Sequence, residues 1–188
     1  MRIVLAAALA AVVGVAVPAA ESNFAKERFT AFAVDVSTLT TRARTSPVDV
    51  SISRLSTEAE KDRLLAVFRD KGQDALLQEL QKTPAVGYIS TPGSLRYELH
   101  FAWERPEAEG GRTLFLMTDR YIGGWEAANR PRTIDYPFTL IQLKVDKNGN
   151  GEGSASIYTK ITEAKDGTIE LENFANQPVM LKDVKPAQ

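Results

Sequence analysis

From Val86 onward the chain is a succession of short β-prone segments separated by turn signals, and this punctuation restricts the fold more than any other feature. Residues 86–91 run into the turn dipeptide Pro92-Gly93. Residues 95–103 then alternate without a fault: Leu95, Tyr97, Leu99, Phe101 and Trp103 on one side, Arg96, Glu98, His100 and Ala102 on the other. Further segments lie at 113–118, 137–145, 154–161, 169–174 and 179–184. Asn- and Gly-rich residues 146–153 and the dipeptide Asp166-Gly167 are placed to turn hairpins. Side chains of a strand point alternately to opposite faces, so each segment offers one face for burial. Asp-Gly turns between such segments favour antiparallel neighbours.

Two more strands precede this region. In residues 29–37, Phe32, Val34 and Val36 share one face. Residues 48–55 place Val48, Val50 and Ile52 opposite Asp49, Ser51 and Ser53. The period then changes. Thr57 and Glu60 form a capping box, and Leu64, Leu65, Val67 and Phe68 recur at helical spacing. Gly72 is suited to ending that helix in the left-handed conformation. Residues 74–81 form a second short helix with Leu76, Leu77 and Leu80, and Pro84 lies just beyond. The expected fold is α+β, mainly β: an antiparallel β-sandwich or open barrel of about nine strands, with a helical hairpin (about 57–81) packed on it.

Residues 1–19 are of a different kind. Arg2 precedes an apolar run from Ile3 to Val17, followed by Pro18 and the small residues Ala19 and Ala20. That is the pattern of a cleavable secretory signal, and the run is shorter than the roughly 20 residues a membrane span needs. The expected organisation is a signal peptide (1–19), a flexible leader (20–28), one β-rich domain (29–184) and a short tail (185–188). After cleavage the chain has no segment suited to stable membrane insertion, and export to the periplasm or the medium is expected. The sequence has no cysteine, which removes disulfides, thiol nucleophiles and thiolate metal sites together. Its near-neutral balance, a formal net charge of −1, argues against a nucleic-acid binder, which needs a basic face.

Candidate chemistry is sparse. His100 is the single histidine, on the polar side of its strand, where a surface charge ladder is its simplest role. Asp146, Asn148, Asn150 and Gly151 match the first positions of a calcium loop, but Ile157 stands where the bidentate Glu belongs. A plain hairpin turn is therefore expected there, with only a weak calcium candidate and no other metal site or cofactor. Residues 119–136 are long for a connection and are the candidate binding loop. They carry Arg120, Trp125, Glu126, Asn129, Arg130, Arg132 and Asp135, and arginine forks beside a tryptophan suit recognition of a carboxylate, a sugar or a protein surface.

Five stretches carry a resemblance: Leu55-Ser-Thr-Glu-Ala-Glu-Lys-Asp-Arg-Leu-Leu65, Asp119-Arg120 to Trp125-Glu126, Arg132-Thr-Ile-Asp-Tyr-Pro-Phe-Thr-Leu-Ile141, Gly151-Glu-Gly153, and Ile169-Glu-Leu-Glu-Asn-Phe174. Together they resemble an uncharacterised family of exported bacterial proteins. The resemblance implies a bacterial origin and a single domain, and it carries no activity and no functional residues. With no serine-elbow, HExxH or phosphate-loop motif present, the expected function is a non-enzymatic binding or accessory module of the cell envelope. Its partner would be a small ligand or an envelope protein. Two other readings stay open: a hydrolase using paired carboxylates such as Glu126 and Asp135, and a structural envelope protein acting through protein–protein contacts.

Overall fold

The computed structural model describes residues 25–36, 44–94, 96–120, 135–165, 168–173 and 177–187. The elements are β1 (Glu27–Asp35), β2 (Arg44–Ile52), α1 (Glu58–Lys82), β3 (Gly87–Ser90), β4 (Tyr97–Leu99), β5 (Phe101–Pro106), β6 (Arg112–Thr118), β7 (Phe138–Val145), β8 (Gly151–Glu163), β9 (Ile169–Asn173) and β10 (Val179–Pro186). All strands join one antiparallel sheet in the order β4-β3-β2-β1-β10-β8-β7-β6-β5, with β9 attached to β8 off this path. β4 and β5 are two halves of a single run split at His100. The first half pairs with β3 and the second with β6, so one run links both ends of the sheet and nearly closes a barrel. A barrel of about eight strands is just wide enough for side chains to fill. Phe29, Val50, Ile52, Leu99, Leu114, Leu143 and Leu181, all buried, fill this one.

A slip at His100 and a bulge in β8 decide what faces outward. Tyr97 and Leu99 face the interior, and so does Ala102, so the alternation slips by one residue at His100. The strict register expected over 95–103 is therefore broken, and Phe101 and Trp103 lie outside the barrel, half-buried. In β8, Phe138 pairs with Thr159 and Thr139 with Ile157, so Tyr158 (φ 59°) is the extra residue in the register between them. An extra residue of this kind bends a strand and flips its faces. Beyond the bulge β8 leaves β10 and pairs with β9, forming a two-stranded arm. In β1 the interior face is Phe29 and Ala31, whereas Phe32, and Val36 just past the strand, are about half exposed. β1 already includes Glu27 and Arg28, expected in the leader, and β10 includes Lys185 and Pro186, expected in the tail.

The helical hairpin forms as expected. Within α1, Gly72 takes φ 77° and ψ −170°, outside the helical region and accessible mainly to glycine. Arg63 donates to Thr83 at 3.3 Å and its Nε lies 3.1 Å from Glu79. Arg63 and Thr83 are 20 residues apart, or about 30 Å along a continuous helix, so the two arms fold back on each other. Leu64 and Phe68 from the first arm and Leu76 and Leu80 from the second pack on Met117, Phe138 and Ile161 of the barrel's outer face.

The capping box at Thr57 and Glu60 is present in both directions, at 2.8 and 3.1 Å. Arg54 grips the Glu60 carboxylate with both terminal nitrogens, at 2.8 and 2.9 Å. The Arg54 guanidinium, helped by the Thr57 backbone N–H, holds the Glu60 carboxyl below the usual carboxylate range. A carboxyl depressed in the folded state stabilises above its unfolded pKa of about 4.3, and that contribution is lost as pH falls through the folded value. Glu60→Gln is expected to lower stability by about 1 kcal/mol at neutral pH, the deficit shrinking below about pH 4. Urea unfolding of both proteins at neutral pH and near pH 3 checks this; an equal deficit at both would rule out the charge as its source.

Candidate functional site

Where the helical hairpin meets the outer face of the barrel, the packing is incomplete. A groove of about 400 Å³ remains between α1, the sheet β5–β6–β7–β8 and the β8–β9 arm. Its floor consists of two cross-strand rows. One row runs Trp103, Phe115, Gln142, Ser154; the next runs Phe101, Met117, Leu140, Ser156. Each row is large and apolar on β5 and β6 and ends in a small hydroxyl on β8. Two serines where bulky side chains would close the contact are what leave the space. Leu64, Leu65, Phe68 and Leu76 form the helical wall, and Ile161, Ile169 and Leu171 the opposite one. Ile161 pairs directly with Leu171, and Glu163 with Ile169, so these apolar side chains share the face of the arm turned to the groove. Ile169 and Leu171 remain 37% and 53% exposed, a cost in water that an occupant would relieve.

One rim is built around Trp103. Its ring lies 5.9 Å from that of Phe115, tilted by 34°. The indole N–H donates to Glu58 at 3.1 Å, and the Lys61 ammonium sits 5.1 Å from the ring centroid while also bonding Glu58. The Lys61 ammonium, and after it the indole N–H, hold the Glu58 carboxyl below its ordinary range. Lys61 is the one charged side chain lining the groove among the described residues, and its partner neutralises it.

The residues singled out from sequence lie elsewhere or outside the described residues. Arg120 is exposed, its Nε 3.7 Å from Asp119, and Asp135 is exposed with its carbonyl accepting from Gln73 at 3.1 Å. Neither lines the groove. Trp125, Glu126, Asn129, Arg130 and Arg132 fall in 121–134, outside the described residues. Asp146, Asn148 and Asn150 form the turn of the β7–β8 hairpin. There the Asp146 carboxylate accepts from the backbone N–H groups of Asn148 and Asn150 at 2.8 and 2.9 Å. This side chain serves as the loop's internal acceptor, the ordinary use of Asp in a tight turn.

His100 is not on the surface, contrary to the charge-ladder expectation. It is 8% exposed at the barrel seam, where the register slip turns its ring under the helical hairpin. Nδ1 lies 2.7 Å from the carbonyl oxygen of Thr83, an acceptor, so Nδ1 carries the proton of that bond. Nε2 faces the Asp119 carboxylate, 9% exposed, at 3.7 Å.

Sequence periodicity missed the groove because it assigned Trp103 and Phe101 to the same face as Leu99. A usable sign was present in β8 and β9: Ser-Ala-Ser on one strand, and Ile-Glu-Leu-Glu on the other, whose apolar residues do not join the barrel interior. Among the described residues, no helix is long and apolar enough to cross a membrane. Comparison with protein-family models, with curated proteins and with solved structures finds no match, so the geometry of the groove alone bears on function.

Proposed function

We propose that the protein is an exported, non-enzymatic binding module of the bacterial cell envelope that holds a small apolar ligand between its helical hairpin and the outer face of its barrel. The groove carries this reading. Its volume of about 400 Å³ falls within the range of about 300–1,000 Å³ usual for small-molecule sites. Its walls are aromatic and aliphatic, with few polar groups placed among them. The Arg2, Ile3–Val17 and Pro18-Ala19-Ala20 pattern supports export, and N-terminal sequencing of the protein from a periplasmic fraction, with Ala20 as first residue, is the expected confirmation.

Binding is testable with a phenylnaphthylamine dye, which fluoresces on leaving water. Saturable enhancement at one dye per chain is expected. Trp103→Ala removes the largest ring of the floor and is expected to weaken the dye by about tenfold, or about 1.4 kcal/mol, while the far-ultraviolet circular dichroism stays that of the parent. Absence of saturable binding to the parent protein would sink the reading.

A further inference from the structure

We propose that the groove selects an uncharged amphiphile: an apolar chain or ring on Trp103 and Phe115, with a neutral hydrogen-bonding head, such as an alcohol or amide, on Gln142, Ser154 and Ser156. This rests on the groove being a binding site and adds the class of molecule it takes.

The floor is graded in one direction. Register places Trp103, Phe115, Gln142 and Ser154 side by side across four strands, and Ser156 lies on the same face two residues along β8. The polar end is therefore a cluster of two hydroxyls and one carboxamide. None of these three side chains makes a hydrogen bond to the protein among the described residues. Hydroxyls and amides both donate and accept, so together they match a head that does both. An ionised head fares worse. Lys61 is already paired with Glu58 and stacked against Trp103, and no other charged side chain lines the groove among the described residues. A carboxylate or ammonium entering beside these apolar walls would be desolvated without a counter-charge, which costs more than desolvating a neutral head. The distal wall, Ile169 and Leu171, belongs to a strand that among the described residues pairs with β8 alone, so a chain longer than the floor can run out beneath it.

The test uses the full exported chain, the phenylnaphthylamine dye and three competitors with the same tail: dodecanamide, dodecanoate and dodecylammonium, each below its micelle concentration. Dodecanamide is expected to displace the dye at a concentration about tenfold lower than either ion. Dodecanoate or dodecylammonium competing as well as the amide overturns the headgroup assignment and leaves the groove standing. Failure of the dye itself to bind overturns both. The double variant Ser154→Ala/Ser156→Ala keeps the walls, so it is expected to bind the dye as the parent does while the amide's advantage falls below about threefold. An undiminished advantage in that variant overturns the role given to the serines.

Discussion

Replacing Phe138 by alanine is expected to cost about 3–5 kcal/mol, the range for an aromatic ring removed from a packed interior. For a chain of this size that corresponds to a fall in Tm of about 10 °C. Phe138 is fully buried, yet not inside the barrel: it opens β7 on the outer face and packs among Leu64, Phe68, Leu76, Leu80, Met117 and Ile161. It is the ring on which both arms of the hairpin and the base of the β8–β9 arm meet. Its loss deprives three elements of a shared surface, and the surrounding side chains sit on separate elements that cannot all collapse into the space. Urea and thermal unfolding of the variant check this. A loss below about 1.5 kcal/mol would show that the hairpin does not depend on the barrel for its packing. The dye is a second readout: a hairpin that has come loose should no longer hold it.

His100→Ala is expected to cost about 2–4 kcal/mol, from two sources. The Thr83 carbonyl loses its donor at 2.7 Å and is left unpaired beneath the hairpin, a loss of about 1–3 kcal/mol. The space vacated by the ring adds a cavity cost at a site only 8% exposed. The effect reaches further than the residue. The His100 backbone N–H bonds Met117 at 3.0 Å, where the run of β4 and β5 crosses from one neighbour strand to the next, and its ring ties that crossing to the end of α1. His100→Gln offers a side-chain N–H toward the same carbonyl and is expected to recover part of the loss. Equal stability of the alanine variant and the parent would show that the ring does not fasten the hairpin to the seam.

Most of the strands were legible because their cause is local. The face Val48, Val50, Ile52 buries as its alternation says, and the hairpins at 146–151 and 163–169 follow from short polar turns between alternating runs. The doubled helix was legible too. A capping box at Thr57 starts it, and Gly72 supplies the positive φ that breaks it. The candidate site was not legible in the same way. The arginine-rich segment 119–136 stands out in the sequence by its composition, yet of its candidate residues Arg120 and Asp135 lie away from the groove. The groove residues are ordinary strand residues whose meaning comes from their neighbours across the sheet.

The chain alone thus determined a mainly antiparallel β fold, the doubled helix and the hairpin turns, since period, capping and turn chemistry act within a few residues. Only the tertiary structure decided which faces are inside. The slip at His100, where the run changes partner strand, turns Phe101 and Trp103 from the interior to the outer face, and the extra residue at Tyr158 turns Ile161 toward them. A side-chain alternation of period two cannot reveal such slips, because a change of partner or a bulge is defined by the neighbouring strands and not by the strand that carries it. The apolar groove lies where those two slips, the serines of β8 and the helical hairpin come together.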